Sequence, residues 1–309
     1  MKKILLILLV LILSIIAINF LLPSSKTFVI ERSAKCAEAS VARQFTNKIN
    51  WKLWWPGEIK NDTMFYYKNC RYRVDKILLN GFLATVFSKQ DSLKGFLQYI
   101  YEANDSTTFR WSATTKLSDN LFTKWSQNSQ LNKIELNTND LLEDIKIHFN
   151  TRDKVYGLNI KRETVSIPSY ISTKNSFNHY PSTQDIYEMI ESLNQYIVKM
   201  GGEEIKEPML HVEFEGADVY EAMVAIPIKN ELASTDKFKL KKMILGNILT
   251  AEVKGGSYKI IAGEQEFKNY IDDYKILSPA IPFQSLITNR LIEKDTTKWI
   301  TKLNYPIFQ

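Results

Sequence analysis

Residues 181–202, PSTQDIYEMIESLNQYIVKMGG, followed by 207–214, EPMLHVEF, and 220–228, YEAMVAIPI, set out a pattern that the chain then repeats. The second statement runs through 255–274, GGSYKIIAGEQEFKNYIDDY, then 278–288, SPAIPFQSLIT, then 298–307, KWITKLNYPI. Each pass reads as an amphipathic helix, a strand that begins at a proline, and a strand that closes on Pro-Ile. In the first pass Ser182 is a suitable N-cap with Asp185 three residues on, a weak capping box. Ile186, Met189, Ile190, Leu193 and Ile197 then make one apolar stripe, and Gly201-Gly202 ends the helix. The closing prolines, Pro227 and Pro306, lie 79 residues apart and the helix starts roughly 74, so the copies differ by a small loop insertion. Two copies are too few for a solenoid. They predict one closed domain with a pseudo-twofold axis and a groove where the halves meet.

Upstream of Asp153 the pattern is different. Residues 27–32, TFVIER, alternate as a strand, and Ala37–Ile49 reads as a helix with Val41, Phe45 and Ile49 on one face. The Trp-rich stretch 50–56, NWKLWWP, follows. MFYYKNCRYRV (64–74), GFLATVFS (81–88), GFLQYIYEA (95–103) and TTFRWSATT (107–115) then predict an antiparallel meander of hairpins. After an Asn- and Ser-rich stretch, residues 137–154 read as a helix capped by Asn137, Thr138 or Asn139, with Leu142, Ile145 and Phe149 on one face. This order suits a curved sheet gripping a terminal helix around an apolar cavity. Beyond it, residues 155–172 read as one long strand bent near Pro168 that opens the first repeat, and 244–253, ILGNILTAEV, opens the second. The expected fold class is therefore α+β in two domains, 26–153 and 154–309, after an N-terminal segment 1–25.

That segment holds 4–22, ILLILLVLILSIIAINFLL, long enough to match a bilayer core of about 30 Å. It exceeds a cleavable signal core, and its exit at Pro23-Ser24-Ser25 lacks a small-x-small site and a lipoprotein Cys. The reading is an uncleaved single-pass anchor in the cytoplasmic (inner) membrane of a bacterium, with membrane lipid as a partner. Lys2 and Lys3 favour the cytoplasmic side for the amino end, against Lys26, Arg32 and Lys35 at the other, and place the soluble part outside. The net charge of +6 on 309 residues is mild and gives no argument for nucleic acid, which is excluded as a partner. Lys237, Lys239, Lys241 and Lys242 read as a solvated connection between the repeats. Cys36 and Cys70 leave open a disulfide or two buried thiols.

The search for chemistry is largely negative. His148, His179 and His211 lack partners at ligand spacing, so no metal and no cofactor are expected. The chain has no GxGxxG, GxxxxGK[ST] or GxSxG. Glu264, Glu266, Asp272 and Asp273 sit on a helix rich in polar residues and read as solvated acids. His211 and Glu213 share one strand face, either as an acid and base pair or as a half-exposed surface.

From about Val155 to the end the chain resembles the gyrase-inhibitor-like (GyrI-like) domain, also called the AraC effector-binding domain. The resemblance rests on the duplicated units, on GNILTAEVKGGSY (246–258) leading into the second helix, and on the closing NYPIF (304–308). It implies a pseudo-twofold groove that binds a small molecule, often amphipathic or cationic. Residues 26–152, through the opening strand, the helix and NWKLWWP, resemble the START-like (polyketide cyclase, lipid-transport) superfamily, which implies a helix-grip fold. Many GyrI-like members place a ligand-facing Glu four residues before the closing proline. Here that position is Lys302, which argues against a cationic ligand and for an acidic or carbonyl-bearing one. The corresponding residue of the first copy is Met223, so one wall of the groove is charged and one apolar. Candidate ligand-binding residues are Lys302, His211, Glu213, Met223, Tyr258, Trp299 and Tyr305, with no catalytic residue assigned. The implied function is small-molecule binding or sensing. The alternative is a hydrolase or cyclase acting on a small hydrophobic substrate in the groove.

Overall fold

The computed structural model describes residues 10, 23–89, 91–165, 169–278 and 280–308. Apart from Val10, the expected anchor at 4–22 lies outside the described residues, as does the expected bend at Pro168. The chain forms two compact units, Met1–Val155 and Tyr156–Gln309. Each is α+β, and each is built on one antiparallel sheet.

The first unit comprises β1 (Ser25–Ala34), α1 (Glu38–Thr46), α2 (Trp51–Trp54), β2 (Glu58–Asn61), β3 (Met64–Tyr67), β4 (Cys70–Leu78), β5 (Gly81–Ser88), β6 (Asp91–Glu102), β7 (Ser106–Lys116) and α3 (Leu121–Asn150). The sheet order is β1-β7-β6-β5-β4-β3-β2. Consecutive hairpins make most of it. Asn104 and Asp105, both at positive φ, supply the tight turn between β6 and β7 that matches strand twist.

Helix α3 is the main departure from the sequence reading. It begins at Asn120, whose side chain accepts from the backbone N–H groups of Phe122 and Thr123, and runs unbroken for 30 residues. Asn137 and Thr138 are therefore mid-helix rather than caps. Their polar groups meet the buried Tyr72 hydroxyl, which donates to Asn137 Oδ1 at 2.6 Å and lies 3.3 Å from Thr138 Oγ1. A tertiary partner thus satisfies side chains that would otherwise compete with the helix backbone.

Aromatic rings pack between the sheet and the helix. Phe45 stacks on Trp54 at 4.5 Å and lies 5.6 Å from Phe109 and 5.8 Å from Phe149. Trp51, Trp54 and Trp55 each donate their indole N–H to a backbone carbonyl, of Phe45, Gln44 and Tyr66. That removes the cost of burying those polar atoms. Cys36 and Cys70 are both buried free thiols, and burial pushes Cys36 up to about 11.

After a short helix α4 (Arg152–Tyr156), the second unit contains β8 (Lys161–Thr164), β9 (Ser169–Phe177), α5 (Thr183–Lys199), β10 (Met209–Gly216), β11 (Val219–Pro227), β12 (Lys239–Lys242), β13 (Asn247–Lys254), α6 (Ser257–Asp273), β14 (Phe283–Leu286) and β15 (Ile300–Ile307). The strand expected over 155–172 is in fact α4, β8 and β9. β8 is one edge of the sheet and β9 lies next to the opposite edge, the order being β12-β9-β11-β10-β14-β15-β13-β8. That order is a palindrome of the two repeats. The strand preceding each copy pairs with the outer edge of the other copy. Across the centre Met209↔Ser285 and Leu210↔Gln284 pair the halves, and the Leu286 N–H donates to the Pro208 carbonyl at 2.9 Å. Both edge strands are short and charged, KRET and KLKK, which resists pairing with another chain. The lysines expected in a solvated connection therefore belong in part to β12.

The Ser182–Asp185 capping box is present in both directions, and Gly201 at φ 68° ends α5. The inner face of α5 packs Ile190, Leu193 and Ile197 on Ile171, Leu210, Val224 and Ile226. On α6 the inward face is Ile260, Gly263, Phe267, Tyr270 and Ile271. A Cβ at Gly263 would stand 2.7 Å from the Val253 side chain, so glycine is what lets this helix approach its strand.

Candidate functional site

Strand alternation divides the second sheet into a helix-covered face and an open face. Leu210 on β10, with Ala222, Val224 and Ile226 on β11, belongs to the core against α5. Met209, His211, Met223, Ala225, Phe283, Lys302, Asn304 and Pro306 point to the other side and line two depressions there.

The first depression, about 310 Å³, is floored by Met209, Met223, Ala225, Phe283 and Ile281. The second, about 360 Å³, carries the charge: Glu163, Lys206, Glu207, Glu252 and Lys302. Tyr170, Met209, Met243 and Phe283 line both, so they form one groove with an apolar end and a charged end.

Lys302 donates to both carboxylate oxygens of Glu163, at 3.0 and 2.8 Å, and Thr250 Oγ1 donates to the same carboxylate at 2.9 Å. The Lys302 ammonium holds Glu163 below the usual carboxylate range. Glu252 lies directly across the strand pair from Lys302. The charged end therefore lacks a spare cation at Lys302, and an acidic ligand must compete with Glu163 for it. Asn304 Nδ2 donates to Ser285 Oγ at 3.1 Å and fixes the floor between the two ends. At the apolar end Lys241 Nζ lies 3.7 Å from the Met223 sulfur.

His211 donates from Nδ1 to the Pro282 carbonyl at 2.9 Å, and its Nε2 lies 3.6 Å from the Glu213 carboxylate. Glu213 is exposed. Tyr305 faces the helix side, its ring 4.5 Å from Phe267, and burial with the nearby Glu264 pushes its hydroxyl up to about 12. Two further candidates line none of these cavities. Tyr258 is 82 % exposed on the first turn of α6. Trp299 is buried, donating Nε1–H to Glu293 O under the Arg290 guanidinium. The fold brings Lys302, Met223 and His211 to the open-face groove, apart from Tyr258 and Trp299, while Tyr305 borders a cavity on the helix side that His211 also reaches.

Sequence reasoning missed Glu264, Gln284 and Arg290. Glu264 is half-buried beside Gln284, which donates to it at 2.9 Å, and burial raises its carboxyl above the ordinary value. The available signal was its place one residue after Gly263 on the inward stripe Ile260-Gly263-Phe267.

No family model matches the chain, and no curated protein matches it. Among solved structures, EcmrR in its DNA complex is similar at 13% identity, over 60% of this chain and 70% of that one, with a TM-score of 0.45. SAV2435 bound to tetraphenylphosphonium is similar at 13% identity over 48% and 94%, with a TM-score of 0.34. DynU16, from the dynemicin biosynthetic locus, is similar at 10% identity over 91% and 86%, with a TM-score of 0.31. Two expectations are corrected. Among the described residues no helix is long and apolar enough to cross a membrane, so the lipid partner and the inner-membrane location are not carried forward. The exclusion of nucleic acid is not carried forward either.

Proposed function

We propose that residues 156–309 form a GyrI-like effector-binding module that holds a small amphipathic molecule in the open-face groove, and that residues 26–155 form a START-like helix-grip domain. The carrying observation is the groove itself, with methionine and aromatic side chains at one end and the Glu163–Lys302 pair at the other. Flexible, polarisable Met209, Met223 and Met243 suit an apolar body of variable shape. The pair and Glu252 offer a polar end group both an acceptor and a donor. A pocket of a few hundred Å³ with few, placed polar groups is the ordinary form of a small-molecule site. The strand order, palindromic about β10 and β14, supports the GyrI-like reading, and the long α3 lying on a seven-stranded antiparallel sheet supports the START-like one.

The test is calorimetric titration of the full chain with decanoate, decyltrimethylammonium and decanol, which share an apolar body and differ in end group. Binding of at least one of them by wild type, lost in Met223→Trp while the melting temperature stays within about 2 °C, is the expected result. Equal binding by wild type and Met223→Trp places the ligand elsewhere. Absence of binding by all three amphiphiles counts against the groove as a site for them.

A further inference from the structure

On the other face of the same sheet a second groove runs between α5 and α6. One part, about 390 Å³, is lined by Glu264, Tyr305, His211 and Gln265, and the next, about 280 Å³, by Arg290, Ile186, Ile260 and Ser257. Tyr180, Leu210, Val212, Ile261 and Gln284 line both parts, so the two are continuous. The walls are mainly aliphatic and aromatic, and the ends carry opposite charges.

Neither charge is neutralised. Among the described residues Glu264 and Arg290 form no ion pair, with each other or with any other group, although each feels the other across the groove. Glu264 has one hydrogen-bond partner, Gln284. Arg290 donates from Nη2 to Thr301 at 2.8 Å and lies 5.1 Å above the Trp299 ring, while its Nε is buried without a partner. The other ionisable groups of the groove do not supply the missing counter-charge. Lys268 at the rim is committed to Asp272 at 2.7 Å, and His211 acts on Glu264 through space without forming an ion pair with it.

Partly buried charges without counter-ions cost stability, and burial disfavours the ionised form of both, raising Glu264 and lowering Arg290. An occupant carrying both a cationic and an anionic group would relieve both penalties at once. An apolar substituent branching from it would fill the Leu210–Val212–Ile261 wall.

We propose that the groove between α5 and α6 is a binding site for a zwitterionic small molecule of the apolar α-amino-acid type, with its ammonium at Glu264 and its carboxylate at Arg290. Leu210, His211 and Phe283 border both this groove and the apolar end of the open-face groove, and Glu264 and Arg290 belong to this one alone. Arg290 is suited to the carboxylate because its fork donates in a plane and its Nε and Nη groups point the same way. Glu264 accepts from an ammonium without losing Gln284, since a carboxylate has lone pairs for both.

Calorimetric titration of the full chain with L-phenylalanine and L-leucine, beside phenethylamine and 3-phenylpropionate, tests the proposal. Each of the last two keeps one charge of phenylalanine. The zwitterion should bind about tenfold or more tightly than either singly charged analogue, as one charge-assisted hydrogen bond permits. Glu264→Gln, which preserves shape and can still bond Gln284, should abolish the advantage over 3-phenylpropionate. Arg290→Gln should abolish the advantage over phenethylamine. If Arg290→Gln fails to fold through loss of its Trp299 contact, Glu264→Gln decides alone. The proposal is overturned if neither amino acid binds, if phenethylamine binds as well as phenylalanine, or if Glu264→Gln leaves the preference intact.

Discussion

Replacing Lys302 by glutamate looks harmless from the sequence, because an exposed strand lysine is exchanged for another charged residue. The structure predicts a measurable loss. Lys302 and Glu163 have side-chain exposures of 26% and 42%, so their pair is partly screened by water and contributes about 0.5–1 kcal/mol. The substitution removes it and leaves three carboxylates together, at 163, 252 and 302. Position 252 is the direct cross-strand neighbour of 302, and like charges so placed cost about 0.2–1 kcal/mol. The sum is about 0.7–2 kcal/mol, or about 1–8 °C in melting temperature for a domain of this size.

Lys302→Met, which removes only the pair, should lose about half as much. The pH dependence has a definite sign. Glu163 is held below its unfolded pKa by Lys302, so the stabilisation is complete above the unfolded value near ~4.3 and is lost as pH falls through the folded value. Scanning calorimetry should therefore show wild type and Lys302→Met converging below pH ~4, and converging also in about 1 M salt. If Lys302→Glu melts with wild type at neutral pH and low salt, the pair does not form in solution and the account of the groove's charged end fails.

Other consequences are equally specific. Burial lowers His148 to about 4, and its Nε2 sits 3.0 Å from Gln44 Oε1. The folded pKa lies below the unfolded one, so this site's stability is full above the unfolded value of about 6.5 and falls on acidification through that range, by a total of order 3 kcal/mol. Acid titration of His148→Gln followed by circular dichroism should show a shallower loss between pH ~6.5 and ~4. Tyr72→Phe strips a donor from the buried Asn137 and should cost about 1–2 kcal/mol in urea unfolding, with the fold retained. Gly95→Ala would put a Cβ 2.2 Å from the Trp111 ring, so it should cost about 1–3 kcal/mol and shift the tryptophan emission; an unchanged spectrum and midpoint would refute that contact.

The periodic features of this chain were legible without coordinates. The helix of 183–199 announced itself through Ser182, Asp185, an apolar stripe and Gly201, because capping and amphipathicity are local. Hairpins of the first unit were readable from alternation and polar breaks, which depend on near neighbours. The strand faces of 300–307 followed from period two, and that alone put Lys302 and Tyr305 on opposite sides of the sheet. Whatever depended on a distant partner was not legible. The helix read as starting at Asn137, Thr138 or Asn139, whereas Asn120 takes the cap and Tyr72 absorbs Asn137. A single strand over 155–172 became two because β13 and β11, far along the chain, each claimed one part. Glu264 read as a solvated acid, and only the packing of Gly263 on Val253 turned it inward. Lys302 read as a free charge because Glu163 lies 139 residues away in sequence and 2.8 Å away in space. Sequence determined the periodicities and the faces they define, since these are set by bond geometry along the chain. Tertiary structure alone decided which charges are compensated and which remain open to a ligand, since a charge is neutralised by its neighbours in space.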